Sequence, residues 1–159
     1  MSAILCTLSP KRLAMLQEEP EILSELLDSR HESDIPGLLD LGNAWDALDR
    51  ILSEGGKEPL MADAILARKG QKMKAQGAYG PPRVLAPARV RQISTALAHL
   101  PAELVSSRYP SLKGQEVHGR YGQGNQASEL AELEELLRSV VDLYANAARE
   151  GHSMMSVIV

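Results

Sequence analysis

Apolar residues fall along this chain in two patterns. Near each end they form a short, mostly apolar run, Ala3 to Leu8 (AILCTL) and Ser153 to Val159 (SMMSVIV). Continuous apolar runs of this length, bounded by turn residues and rich in β-branched side chains, predict strands buried on both faces. Between them, apolar positions recur at steps of three and four, the spacing that lines one face of a helix. Leu13, Leu16 and Met15 follow Ser9-Pro10, a cap followed by a proline whose missing N–H costs nothing in the first helical turn. Ile22, Leu23, Leu26 and Leu27 repeat the pattern after Pro20.

The spacing of Ala44, Trp45, Leu48, Ile51 and Leu52 predicts a third helix, with Asn43 as its cap and Gly55-Gly56 as its end. Pro59 opens a short segment in which Leu60, Met61, Ala64 and Ile65 share a face. Val90, Ile93, Leu97 and Leu100 follow Ala86-Pro87, and Leu104 and Val105 follow Pro101. The longest helix is expected from Gln126 to Glu150, on Leu130, Leu133, Leu137, Val140 or Val141, Tyr144 and Ala147 or Ala148. Glu129, Glu132, Glu134 and Glu135 lie in its early turns, where negative charge complements the helix dipole, and Gly151 can supply a left-handed cap.

Three stretches lack periodicity. Ser29 to Gly37 is polar and reads as a surface connection; Arg68 to Lys74 (RKGQKMK) is basic; Tyr109 to Asn125 is glycine-rich and reads as an ordered loop with one short strand at most. Gly77 to Val90 (GAYGPPRVLAPARV) holds an extended Pro81-Pro82 pair and reads as a stiff lead-in to the helix at Pro87. The whole predicts one α+β domain, 1–159. It has a small mixed sheet containing the N- and C-terminal strands, covered by several helices of which the C-terminal one is long.

Composition removes several function classes. With no phenylalanine and one tryptophan, the core must be aliphatic. A net charge of −4 offers no concentrated basic face for nucleic acid. No run reaches the roughly 20 apolar residues of a membrane span, and a lone Cys6 allows no internal disulfide. A cytoplasmic protein is the expectation. His31, His99, His118 and His152 show no metal-ligand spacing, and Cys6 sits in an apolar strand where burial makes a thiol inert. The glycines at Gly77–Gly80 and Gly119–Gly124 lack the strand-and-helix context of a phosphate loop and read as turns. No catalytic residue, metal or cofactor is expected.

Four segments in order carry a resemblance: NAWDALDRIL (Asn43 to Leu52), PLMADAIL (Pro59 to Leu66), YGPPRVLAPARVRQISTAL (Tyr79 to Leu97), and a final helix with Tyr144 and Ala147-Ala148 before a glycine and an apolar strand. Together they resemble the YfbM-like family, a bacterial family of unknown function. The resemblance implies the same α+β fold and no assigned activity. Two departures stand out: Ala67 occupies a position where the family tends to have glycine, and the loop from Gln115 to Asn125 carries glycines in place of the family's aromatic turn.

Two functions are therefore expected in order. The first is a non-enzymatic protein-binding module of the immunity type, which would neutralise a toxin or effector through the Tyr79–Arg83 loop and the Gly114–Asn125 loop with Tyr121. The alternative is a binder of a small anionic ligand, or a small enzyme, with Tyr79, Arg83, Trp45 and Asp46 around a pocket; Arg83 would pair the anion through its planar fork.

Overall fold

The computed structural model describes residues 1–29 and 36–159. Strand β1 (Ala3–Leu8) leads into α1 (Pro10–Glu18) and α2 (Ile22–Asp28). Next come β2 (Leu38–Asp40), α3 (Trp45–Ser53), β3 (Gln71–Lys72), β4 (Arg83–Leu85), α4 (Pro87–Ala98) and α5 (Leu104–Arg108). The chain ends with α6 (Gln126–Glu150) and β5 (Ser153–Ile158). The strands form one sheet in the order β2-β1-β5-β4-β3, and every pairing is antiparallel. It is thus more uniform than the mixed sheet expected. The two terminal strands lie side by side at its centre, where Ala3 faces Ile158 and Leu8 faces Ser153.

Alternation along the strands divides the core in two. Ala3, Leu5, Leu85 and Met154 point to one face, where α3, α4 and α6 bring Leu48, Ile51, Val90, Ile93, Val140 and Tyr144. Ile4, Cys6, Leu8, Val84, Met155 and Val157 point to the other, which α1 and α2 cover with Leu16, Leu23, Leu26 and Leu27. Both faces of β1 and β5 are covered, which is why their sequences run apolar without alternation.

Local chemistry explains the helix ends. The Ser9 hydroxyl accepts from the Arg12 amide at 3.1 Å and caps α1, with Pro10 in the first turn. The α6 helix starts at Gln126, where the Asn125 side chain takes the Ser128 amide at 3.0 Å, and stops at Gly151, which lies in the left-handed region at φ 68°. Asn43 does not cap α3: it lies in a 3-10 turn, Gly42–Ala44, and Ala44 precedes the helix with no side-chain bond. At the other end of α3, Glu54 adopts φ 50° before Gly55.

The loop from Tyr109 to Asn125 contains two 3-10 turns, Tyr109–Leu112 and His118–Arg120, and no strand. Of the segment 29–37, expected to be a surface connection, residues 30–35 lie outside the described residues, His31 among them.

Candidate functional site

The layer over the second face of the sheet is incomplete. Two short helices cover β1 and β5, while β4 and β3 extend beyond them. The uncovered end is a cleft of about 780 Å³. Leu13 and Gln17 of α1 form one wall, Lys69 to Lys74 another, and Val84 to Pro87 with Arg89 the floor and the entrance to α4. Its volume falls within the range of roughly 300–1,000 Å³ in which small-molecule sites are found.

Buried Asp63 organises this region. It sits in the 3-10 turn Met61–Asp63 at 1% exposure. Its Oδ1 accepts the Lys69 amide at 2.8 Å, and its Oδ2 accepts from Arg89 Nε at 2.9 Å and Nη2 at 2.6 Å. One carboxylate thereby holds the basic loop against the first turn of α4. Gly70 completes the join, because a Cβ there would come within 2.9 Å of the Ala67 carbonyl and 3.0 Å of that of Val84. Ala67 itself takes φ 46°, a left-handed conformation that disfavours L side chains, and this explains why a glycine suits the position.

A second buried carboxylate, Asp49 on α3, grips Arg68 through both oxygens, at 2.8 and 2.5 Å. Arg68 also donates to the Ala62 carbonyl at 2.6 Å, and the Asp49 bond raises the guanidinium pKa further above its ordinary value. In contrast, Lys69, Lys72 and Lys74 have no carboxylate within ion-pair distance among the described residues. No Asp or Glu lines the cleft among those residues either. Cationic side chains in a concave site with no neutralising acid favour an anionic occupant.

The residues singled out from sequence separate into two places. Arg83 lies on β4 and donates to the Arg68 carbonyl at 2.7 Å; Tyr79, 59% exposed, stands at the Gly77–Gly80 turn. Both line a smaller depression of about 240 Å³ with Arg68 and Ser156. Trp45, Asp46 and Tyr121 belong instead to the junction of α3 with the glycine-rich loop. Asp46 accepts the His118 amide at 2.9 Å and pairs with Arg50 at 2.9 Å, and Trp45 stacks against the His118 ring at 5.6 Å. Tyr121 is buried, and burial raises its phenol pKa, helped by Glu132. These three residues fasten a loop rather than line a cavity with Tyr79 and Arg83.

The glycine-rich loop carries its own anion. The Gly122 and Gly124 amides donate to Glu129 at 2.8 and 2.9 Å, and the Tyr109 hydroxyl donates to the same carboxylate. Burial works to raise the Glu129 pKa, but these three donors outweigh it and lower it; the Tyr109 phenol, through burial and Glu129, is pushed up to about 12. The backbone donors of a would-be phosphate loop are thus occupied by the protein. Cys6 is likewise chemically quiet, its thiol pushed up to about 11 by burial.

Sequence reasoning passed over the cleft because Arg68–Lys74 has no periodicity and β3 is two residues long. The available signals were a basic run and a proline-started helix, adjacent only after β3 pairs with β4. Among the described residues no group of three or more His, Cys, Asp or Glu side chains could hold a metal ion, and no helix is long and apolar enough to cross a membrane.

Comparison with known proteins agrees with the fold. No curated protein matches the chain. A crystal structure of YfbM from Escherichia coli, a protein of unknown function, is similar over 100% of both chains, with a TM-score of 0.74 at 16% identity. At that identity the likeness establishes the architecture alone. The model of the family described as a domain of unknown function, DUF1877, matches residues 1–157, and the chain belongs to that family.

Proposed function

We propose that this protein binds a small organic anion in the cleft between α1, the Lys69–Lys74 segment and the start of α4. The observation that supports this is the lining: Lys69, Lys72 and Lys74 together, with no carboxylate among the described lining residues. Leu13, Met73 and Val84 add apolar wall, which suits a ligand with a hydrocarbon body as well as a charge. This is the ligand-binding alternative drawn from sequence, moved from Tyr79 and Arg83 to the neighbouring cleft.

Thermal unfolding with hexanoate, hexyl sulfate, hexyl phosphate and hexylammonium tests it. At a concentration of 100 Kd a bound anion should stabilise by about 2.7 kcal/mol. The triple variant K69Q/K72Q/K74Q should lose that gain while remaining folded. A flat response to all three anions, or stabilisation by hexylammonium alone, would sink the proposal.

The protein-binding reading has one observation in its favour. Tyr79 is a large side chain at 59% exposure beside Arg68 and Arg83, and tyrosine and arginine are enriched among residues that anchor interfaces. An immunity role would require the product of an adjacent gene to be toxic and co-expression of this protein to relieve it. Relief should be lost in Tyr79→Ala. Toxicity that persists at equal expression would retire the idea.

A further inference from the structure

The most buried polar side chain lining the cleft is Ser153. It is 4% exposed and lines the cavity. The four other buried polar side chains, Asp49, Ser53, Asp63 and Ser156, each have a hydrogen-bond partner, whereas the Ser153 hydroxyl has none among the described residues. Its place in the sheet is defined. Leu85 pairs with Met154, so one step further Ser153 lies opposite Ala86, the residue that precedes α4. Alternation puts its side chain on the face of Met155 and Val157, which is the face that carries the cleft.

The start of α4 adds donors at the same spot. Ala86 has no polar side-chain group to cap the helix, and the first backbone bond runs from the Val90 amide to the Ala86 carbonyl. Among the described residues the amides of Ala88 and Arg89 are therefore without an acceptor, at the positive end of a 12-residue helix. Arg89 is held in place by Asp63, and Lys69 enters from the loop fastened to the same carboxylate. Among the described residues, a serine hydroxyl, free helix amides and an unpaired ammonium gather here with no carboxylate lining the cleft to balance them.

Resting on the anion-binding reading above, we infer that this end of the cleft is a subsite for the phosphate of an organic phosphate monoester with an aliphatic body. Three terminal oxygens match a cluster of donors better than the two of a carboxylate. The body lies along Leu13, Met73 and Val84. No aromatic side chain lines the cleft among the described residues, so there is no platform on which a nucleobase would stack.

Isothermal titration with hexyl phosphate, hexanoate, inorganic phosphate and adenosine monophosphate tests the assignment. Hexyl phosphate should bind at least 10-fold more tightly than each of the other three. Ser153→Ala should weaken hexyl phosphate about 5-fold and leave hexanoate unchanged; Lys69→Gln, on an exposed loop residue, should also weaken hexyl phosphate and provides the second variant if Ser153→Ala is unstable. Equal affinity for hexanoate would overturn the phosphate subsite while leaving the anion cleft standing. Tightest binding of the nucleotide would overturn the aliphatic body. Absence of binding by all four would overturn both this inference and the proposed function. Chemical-shift changes confined to residues outside 69–74, 84–89 and 153 would do the same.

Discussion

Asp63 and Arg89 lie 26 positions apart and form the central ion pair of the cleft, with Oδ2 of the aspartate 2.6 Å from Nη2 and 2.9 Å from Nε of the arginine. The carboxylate is 1% exposed, and its second oxygen takes the Lys69 amide. Removing one partner of a buried pair typically costs about 3–5 kcal/mol. Because the Arg89 side chain retains 28% exposure, Asp63→Ala should fall at the lower end, about 3 kcal/mol by urea unfolding. Asp63→Asn keeps an acceptor for the Lys69 amide and should cost less. Equal losses in the two variants would mean that the neutral acceptor contributes nothing and the charge carries the whole effect.

Glu129 makes stability depend on pH in a known direction. Its pKa is lowered in the folded protein from an ordinary value of 4.5, so near pH 4 the unfolded chain binds more protons than the folded one. Its contribution is therefore fully present above that value and is lost as pH falls through the lowered pKa. Glu129→Gln should be less stable than the parent by about 2 kcal/mol at pH 7, from the loss of bonds to a charged acceptor. The gap should narrow steadily from pH 5 to pH 3. A gap independent of pH would show that the carboxylate charge is not what the loop responds to.

Two successive carbonyls, of Ala64 and Ile65, are satisfied by distant side chains: the Tyr144 hydroxyl at 2.7 Å and the Ser156 hydroxyl at 2.6 Å. Tyr144 is fully buried, and burial keeps its phenol protonated far above neutral pH. Tyr144→Phe leaves the buried Ala64 carbonyl without its donor, at a cost of about 1–3 kcal/mol. Chemical denaturation of the variant measures this, and an unchanged midpoint would contradict the assignment.

Glu54 is an L-residue at φ 50°, half exposed, at the end of α3. A glycine there avoids steric strain of about 1–2 kcal/mol but loses more backbone entropy on folding, about 0.5–1 kcal/mol. Its ion pair with Arg108 is long, 3.9 Å, and contributes little. Glu54→Gly should raise stability by about 0.5–1 kcal/mol, a gain of about 1–4 °C in melting temperature for a domain of this size. A lower melting temperature would show that the pair outweighs the strain.

The elements legible in the sequence are those whose signal is long. Helix α6 carries its apolar stripe through seven turns and ends at a glycine that the structure places in the left-handed region. Strands β1 and β5 are six-residue apolar runs bounded by turn residues. Strands β2, β3 and β4 have three, two and three residues, too few for alternation to register, so Arg83–Leu85 reads as part of a proline-rich lead-in. Among the candidate residues, Tyr79 and Arg83 do share a surface depression, but Trp45, Asp46 and Tyr121 lie at another junction.

Sequence alone determined the class of the fold, the helix that dominates it, the presence of both terminal strands in one sheet and the resemblance to its family, because each rests on local periodicity or on motifs in order. Tertiary structure alone decided where ligand chemistry could gather. Lys69, Arg89 and Ser153 are spread over more than 80 positions and meet only through β3, β4 and β5 and the buried carboxylate of Asp63. The physical reason is that backbone pairing between short strands and a single buried charge act across sequence distance, where no residue pattern records them.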